Sequence, residues 1–292
     1  MNKPKHAFLI IAHNKFEQLQ FLLSLLDDVR NDIFIHIDKK VKKIPNLSTK
    51  KSQLYILPNR IDVRWGDVSQ IKAELALFEA ANKHGVYQIY HLLSGVDFPI
   101  KSNDYIHTFI NNNPNTQFVG FSKKKSKSLE WNVKRYHFFT RHYKNNNILK
   151  KIFFNCLRYI CELFVNLLIS RQTPPTLHKG AQWVSITYEF CDYIIKRKND
   201  LIKNYEHTCC SDEIFIQTLL WNSPFKEQIY TLETEFKGCM RLIDWNRGTP
   251  YEWGNNLDLD IKIIKESQAL FARKFDIQKF PKIKEVIKEI TQ

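Results

Sequence analysis

The stretch that decides the fold is residues 7–38, AFLIIAHNKFEQLQFLLSLLDDVRNDIFIHID. Its first six residues form an apolar run that stops at His13, as a strand buried on both faces would. Residues 17–26 carry leucines at the i, i+3, i+4, i+7 positions of an amphipathic helix, and residues 33–37 predict a second strand ending at Asp38. This βαβ pattern places the polar residues after both strands at the ligand-binding edge of a parallel sheet.

The same alternation continues along the chain and predicts an α/β fold with one domain over residues 1–292. Gly95 is expected to place Asp97 on a turn at a strand end. Ser211 is a favourable N-cap for a helix that follows it. Further strands are predicted at 54–57, 87–93, 118–121 and 182–186, and further helices at 69–82, 188–197, 212–221, 259–271 and 281–290.

Positive charge is concentrated in one part of the chain. The protein has 44 Lys+Arg and 30 Asp+Glu, a formal net charge of +14. Twelve basic and two acidic residues lie within 123–171, which gives that segment alone a charge of +10. Three kinds of partner fit such a charge: nucleic acid, an anionic membrane or a phosphorylated substrate. An apolar content of 43% excludes a disordered chain.

Several function classes have no support in the sequence. It contains neither a glycine-rich phosphate loop nor a recognisable nucleic-acid-binding module, so no nucleic acid partner is expected. Asp258-Leu-Asp260 has the D-x-D form of some metal sites, but aspartates are also favoured at the helix start predicted there, and no metal is expected. Six cysteines without regular spacing and the lack of a signal peptide predict reduced thiols in a cytoplasmic protein.

Five short motifs carry a more specific signal when they are taken together. They are IHIDKK at 35–40, RWGDVS at 64–69, LSGVDFPIKS at 93–102, SDE at 211–213 and LFARKF at 270–275. In this order they resemble the core-2/I-branching β-1,6-N-acetylglucosaminyltransferases and peptide xylosyltransferases of glycosyltransferase family 14, over residues 6–277. The resemblance implies a GT-A fold, with a Rossmann-like, mostly parallel sheet flanked by helices, and an inverting, metal-independent transfer from a UDP-sugar.

The resemblance also assigns the chemistry to particular residues. An inverting transfer needs a carboxylate that takes the proton of the acceptor hydroxyl, and Glu213 matches the family's base. The alternative is that Glu213 only complements a helix start. Arg273 and Lys274 match the basic pair that replaces a metal at the leaving diphosphate. Their alternative is a solvated basic pair near a helix end.

The remaining site residues concern the nucleoside and the sugars. By resemblance, Asp38 binds the uridine or its ribose, and Ala12 and His13 lie where the first strand meets the uracil. His13 is equally consistent with a polar residue before a helix, Asp97 with turn-building and Trp65 with core packing. The candidate donor or acceptor sugar contacts are Trp65, Asp97, Trp183, Asp212, Arg241 and Arg247.

The chain departs from the animal branching enzymes in three respects. Residues 251–259 lack the second diphosphate-binding arginine, for which Arg241 or Arg247 is a candidate replacement; otherwise Arg273 suffices. We also expect the protein to have neither the luminal disulfides nor the N-terminal membrane anchor of those enzymes. These departures indicate a bacterial-type member.

The basic segment is predicted to be a partly apolar helical insertion around residues 123–172. Residues 152–169 are mostly apolar but are interrupted by polar side chains, which makes them a poor spanning helix. Two interpretations stay open: a helix that lies in an anionic membrane surface near a lipid-linked glycan, and an insertion that packs on the catalytic core.

These observations predict an inverting glycosyltransferase with no cofactor besides its UDP-sugar donor. The expected donor is UDP-GlcNAc, with UDP-xylose or UDP-glucose as alternatives, and the expected acceptor is a glycan of bacterial surface polysaccharide or lipooligosaccharide. We expect a cytoplasmic location, peripheral to the inner face of the membrane. A non-catalytic nucleotide-sugar-binding subunit is the alternative from another class.

Overall fold

The computed structural model describes residues 4–123, 127–143 and 147–292. Its main sheet has five strands in the order β3-β2-β1-β4-β6, and all neighbouring pairs are parallel except β4 with β6. The predicted α/β class, a mostly parallel sheet flanked by helices, is confirmed. The strands are β1 (His6–Ala12), β2 (Asn31–Ile37), β3 (Gln53–Ile56), β4 (Ile89–Ser94) and β6 (Ser185–Thr187).

Both faces of this sheet are covered, which explains the continuous apolar run of β1. Ala7 and Leu9 point into a cluster with helices α2 (Ser69–His84) and α6 (Tyr188–Lys196). Phe8 and Ile10 point into a second cluster on the opposite face. Four helices contribute to that cluster: α1 (Phe16–Leu26), α3 (Asn103–Asn111), α10 (Leu257–Glu266) and α11 (Lys282–Thr291).

A second, three-stranded sheet was not predicted. Its order is β5-β8-β7, formed by Asp97–Pro99, Phe271–Arg273 and Arg241–Ile243. The predicted helix at 259–271 is therefore wrong in its second half, because α10 ends at Glu266 and the chain enters β8. Residues 271 to 273 are fixed by pairing with β5 and β7, which sequence periodicity cannot reveal.

The acidic motif at 211–213 also differs from the prediction. Ser211–Glu213 is a 3-10 turn, and helix α8 (Phe215–Trp221) begins after it, so Ser211 is not the N-cap. The Ser211 hydroxyl instead accepts a hydrogen bond from Thr208 Oγ1. The predicted strand at 118–121 is reduced to isolated bridges at Gln117 and Phe118.

Two further helices belong to the basic insertion, and two complete the core. In the insertion, α4 is Lys127–Lys134 and α5 is Ile148–Leu168, with part of the predicted segment lying outside the described residues. Elsewhere, α7 is Lys198–Tyr205 and α9 is Glu235–Gly238. Within the described ranges, no helix has the length and apolar character needed to cross a membrane.

Candidate active site

A cavity of about 1140 Å³ opens where β1, β2 and β4 end. Its lining includes residues that follow those strands, together with Lys179–Trp183, part of the acidic turn and the end of β8. Gly95 lines it and lies so close to β1 that a Cβ there would come within 3.2 Å of the Ala12 Cβ. The ends of the parallel strands thus form the floor of the cavity, as expected for an open α/β sheet.

The predicted nucleoside residues lie together on this floor. Ala12 and Asp38 are joined by a backbone hydrogen bond of 2.9 Å from Asp38 N to Ala12 O. The buried Asp38 carboxylate accepts a hydrogen bond from Lys40 N and forms an ion pair with Lys40 Nζ at 2.8 Å. Burial lowers the pKa of His13, against the opposing effect of Asp38, so its imidazole is neutral near pH 7.

Arg273 enters the cavity from β8 and is held in one orientation. Its guanidinium donates to Asp97 Oδ1 at 2.7 Å and to Ser94 Oγ at 2.5 Å, and it stacks 4.6 Å from the Trp183 ring centre. Asp97 is 2% exposed and also accepts from Ser94 N. Asp97 is absent from the cavity lining, so the structure makes it the anchor of Arg273 and places Trp183 beneath the guanidinium.

Lys274, the second member of the basic pair, takes a different direction. Its Nζ lies 3.1 Å from Glu252 Oε1, and its side chain is not part of the cavity lining. The hydrogen bonds from Lys279 and Lys274 lower the pKa of Glu252. Arg273 and Lys274 are therefore separated: one side chain faces the cavity and the other is paired outside it.

Arg241 and Arg247, the candidate replacements for a second arginine, also lie outside the lining. Arg241 is 2% exposed and donates to the backbone carbonyls of Cys239 and Val184, so it ties the two sheets together. Arg247 pairs with Asp244 and Asp260. The cationic side chains that do line the cavity, besides Arg273, are Lys40, Lys123 and Lys179.

Glu213 also lines the cavity, and 41% of its side chain is exposed. Lys179 Nζ forms an ion pair with its Oε2 at 2.8 Å, and Gly180 N donates to its backbone oxygen. Burial lowers the pKa of Lys179, but the hydrogen bond and charge of Glu213 outweigh that effect and raise it. Sequence reasoning missed Lys179, whose distance of thirty-four positions from Glu213 carries no local pattern.

Asp212 lines the cavity together with Gln70 and Gln182, and these three side chains form a polar layer with the buried Glu74. Burial and the charge of Glu213 raise the pKa of Asp212 to about 7, and its carboxylate accepts from Gln70 Nε2 at 2.8 Å. One turn along α2, burial and the charge of Asp212 raise the pKa of Glu74 well above its usual value. Gln182 Nε2 donates to Glu74 at 2.8 Å. The i, i+4 spacing of Gln70 and Glu74 was the one signal in the sequence that could have found this layer.

Two tryptophans stand at the mouth of the cavity. Trp65 is 52% exposed and Trp245 is 55% exposed, and both contribute to the lining. About half of each tryptophan side chain is therefore open to solvent. Trp65 was expected from the sequence, whereas Trp245 was not.

The D-x-D sequence has a structural role. Asp260 is fully buried, and its carboxylate accepts from Arg247, from the Tyr251 hydroxyl and from Gly254 N. All of these contacts order the loop before α10. They leave Asp260 turned away from the cavity, whose lining contains neither Asp258 nor Asp260.

Comparison with known proteins agrees with the motif resemblance. The chain is 22% identical over 254 residues to xylosyltransferase 2 of Rattus norvegicus and 23% identical over 261 residues to xylosyltransferase 1 of Homo sapiens. These alignments cover 82% and 84% of this chain but only 26% and 24% of the relatives, so the chain spans about a quarter of their length. A structure of mouse xyloside xylosyltransferase 1 in its apo form covers 92% of this chain and 96% of its own, with 10% identity and a TM-score of 0.38.

The sequence profile of the Core-2/I-Branching enzyme family matches residues 6–267. This range contains the whole main sheet, the acidic turn at Ser211–Glu213 and the insertion. The chain therefore belongs to the Core-2/I-Branching enzyme family, which is glycosyltransferase family 14.

Proposed function

We propose that the protein is an inverting, metal-independent glycosyltransferase that moves GlcNAc from UDP-GlcNAc to a hydroxyl of a glycan acceptor. Membership of the family makes it a glycosyltransferase, which acts with a nucleotide-sugar donor and a glycan acceptor. The observation that carries the rest is the placement of Glu213 and Arg273 in the lining of one cavity, below two exposed tryptophans. A base and a fixed cation around a space of this size match the needs of an inverting transfer.

In the proposed reaction the acceptor oxygen attacks the anomeric carbon of the donor as the bond to UDP breaks. Glu213 takes the proton of the hydroxyl, and the electron pair of the broken bond leaves with the diphosphate. Lys179 holds the Glu213 carboxylate in place before the acceptor enters. Because Arg273 is fixed by Asp97 and Ser94, it needs little rearrangement to stabilise the charge that develops on UDP.

The cationic side chains in the cavity lining support a metal-free mechanism. Arg273, Lys40 and Lys123 line the cavity, while the D-x-D carboxylate of Asp260 is occupied by Arg247 and Tyr251. Transfer that proceeds unchanged in EDTA would support this part of the proposal. Transfer that requires an added divalent ion would overturn it.

UDP-xylose is the second candidate donor. The observation in its favour is that the relatives compared above are named xylosyltransferases. UDP-glucose follows as a third choice. Pocket shape decides between these sugars, so a thermal-shift screen over UDP-sugars, followed by transfer assays, ranks them directly.

The acceptor is proposed to be a growing glycan of bacterial surface polysaccharide or lipooligosaccharide that is linked to lipid. The proposed setting is the cytoplasmic face of the inner membrane, where the protein is peripheral. The local charge of +10 within residues 123–171 supports this setting, since anionic lipid attracts basic segments.

Replacing the base tests the whole proposal. We expect Glu213→Gln to lower the transfer rate by about a hundredfold or more, since general base catalysis is typically worth 10²–10⁴-fold, while UDP binding is retained. Glu285→Gln, at an exposed position on α11, is the matched control and should be fully active. Unchanged transfer by Glu213→Gln would refute the base, and UDP binding without transfer by the wild type on any acceptor tested would favour a non-catalytic binding subunit.

A further inference from the structure

The distribution of apolar side chains on helix α5 is unusual for a helix that packs on a protein core. The helix is 21 residues long, about 30 Å at 1.5 Å per residue, and none of its residues is buried. A helix that packs on a core normally turns its apolar stripe inward and its polar side outward. In α5 most of the large apolar side chains lie on the outward side instead. The exposed side is formed by Ile148, Leu149, Ile152, Phe153, Tyr159, Ile160, Leu163, Phe164, Leu167 and Leu168, each at least 44% exposed.

The side of α5 that faces the protein carries polar groups together with a few apolar ones, among them Phe154, which stacks on His142 with ring centres 3.6 Å apart. Asn166 accepts from Tyr136 N at 2.7 Å and donates to Tyr136 O at 3.0 Å. Glu162 lies 3.3 Å from His137, whose ring stays buried against it. Arg158 stacks 4.7 Å from the ring centre of Tyr143. These contacts fix the orientation of the helix. As a result, its exposed apolar side faces outward.

The chain segment 136–143, which contacts α5, also connects this helix to the mouth of the cavity. Thr140 Oγ1 donates to Asp67 at 2.8 Å, and Arg141 pairs with Asp62 at 2.9 Å. Asp62 and Asp67 lie on either side of Trp65, which lines the cavity. A surface that docks through α5 would therefore lie next to the mouth of the cavity at Trp65.

We propose that the exposed face of α5, from Ile148 to Leu168, inserts into the surface of an anionic lipid bilayer. The face is apolar along about five turns, which fits helices that lie in the interface between headgroups and acyl chains. Lys150 and Lys151 are exposed at its first turn, within a segment of charge +10. That charge complements anionic lipid, because basic residues near such a surface are attracted to it.

The charge also selects the bilayer over a second copy of the chain. Two copies joined through α5 would bring two segments of +10 together, and like charges at an interface oppose association. A bilayer that contains anionic lipid removes this repulsion and covers the same apolar side chains. For the acceptor, the inference rests on the lipid-linked glycan proposed above, whereas the docking itself does not depend on the reaction.

Co-sedimentation with vesicles tests the docking without donor or acceptor. We expect the wild type to bind vesicles of phosphatidylglycerol and phosphatidylcholine at low salt, and to bind pure phosphatidylcholine vesicles more weakly. The double variant Leu163→Gln, Phe164→Gln should bind the anionic vesicles at least about tenfold less, because it removes two apolar side chains without adding charge. Val86→Gln, at a 73% exposed position outside the insertion, is the matched control and should bind like the wild type.

A second double variant tests the contribution of the basic residues to vesicle binding. Lys150→Gln with Lys151→Gln should weaken binding to anionic vesicles at low salt and leave binding to neutral vesicles unchanged. Unfolding temperature and UDP binding show whether each variant keeps its fold, and sedimentation velocity reports self-association.

Three results would overturn the inference. They are absence of wild-type binding to anionic vesicles at low salt, wild-type binding by the Leu163/Phe164 variant, and a dimer that the same variant dissociates. Because no step of this assay involves transfer, vesicle binding by a protein without transferase activity would refute the proposed function and leave the docking intact. An active enzyme that does not bind vesicles would support the proposed function and refute the docking.

Discussion

Helices α2 and α5 are the two longest described helices, with 16 and 21 residues, and they are held against the protein in different ways. In α2, Leu75 and Phe78 are fully buried against the sheet, while Gln70 and Glu74 belong to the polar layer at the active site. In α5 no residue is buried, and contacts of Asn166, Glu162 and Phe154 attach it to the protein. The comparison shows that a helix can be positioned by burial in the core or by a few partly buried contacts, and that only the second leaves a large apolar face exposed.

The largest difference between the two helices should appear in stability. We expect Leu75→Ala in α2 to lower the free energy of unfolding by about 2–5 kcal/mol, since it leaves a cavity in the core. Leu163→Ala in α5, at a 44% exposed position, should change it by less than about 0.5 kcal/mol. Urea denaturation of both variants and the wild type measures the two values. Equal losses would mean that α5 packs on the core in solution, and the comparison would fail.

The layer beside α2 should also make stability depend on pH. The pKa of Asp212 is raised to about 7 from an ordinary value near 4, so the folded state binds its proton more tightly than the unfolded state does. The stability contributed by this group is complete below about pH 4, falls by up to about 1.4 kcal/mol per pH unit, and is gone once the pH has risen through about 7.

The variant Asp212→Asn removes this titration and keeps an oxygen for the hydrogen bond from Gln70. We expect its free energy of unfolding to vary less between pH 4 and pH 7 than that of the wild type, with the two curves parallel above pH 7. Asp192→Asn, at a partly exposed carboxylate on α6, is the control and should follow the wild-type curve. An unchanged slope in Asp212→Asn would show that Asp212 is ionised in the folded protein throughout this range.

The sequence predicts elements with a local periodic pattern better than elements that depend on pairing with distant strands. The opening βαβ unit was predicted almost to the residue, because β1 and β2 are buried on both faces and α1 has a regular apolar stripe. β8 was not predicted, and the predicted helix at 259–271 included its first residue. Its three residues have no periodicity of their own, and β5 and β7, distant in sequence, make them a strand.

The candidate site also contains residues that sequence motifs identify and residues whose contacts exist only in the folded protein. Asp38, Glu213 and Arg273, which belong to the ordered motifs, all line the cavity. Arg241 was predicted as a replacement for the missing diphosphate-binding arginine, but it is buried between the sheets, where its Nη1 and Nη2 donate to the backbone carbonyls of Cys239 and Val184. Lys179 was missed, because its pairing with Glu213 exists only in the folded protein.

The smallest expected effect tests how α5 is attached. Asn166→Ala removes both hydrogen bonds between α5 and the backbone of Tyr136, at a cost of about 1 kcal/mol for partly buried groups that water can reach. We expect hydrogen exchange of the amides in 136–143 to become about fivefold faster, while the amides of β1 and β4 exchange at their former rates. Leu167→Ala, on the exposed side of the same helix, should leave both sets unchanged. Unchanged exchange in 136–143 for Asn166→Ala would mean that these bonds do not hold the helix, and that its apolar side is turned outward for another reason.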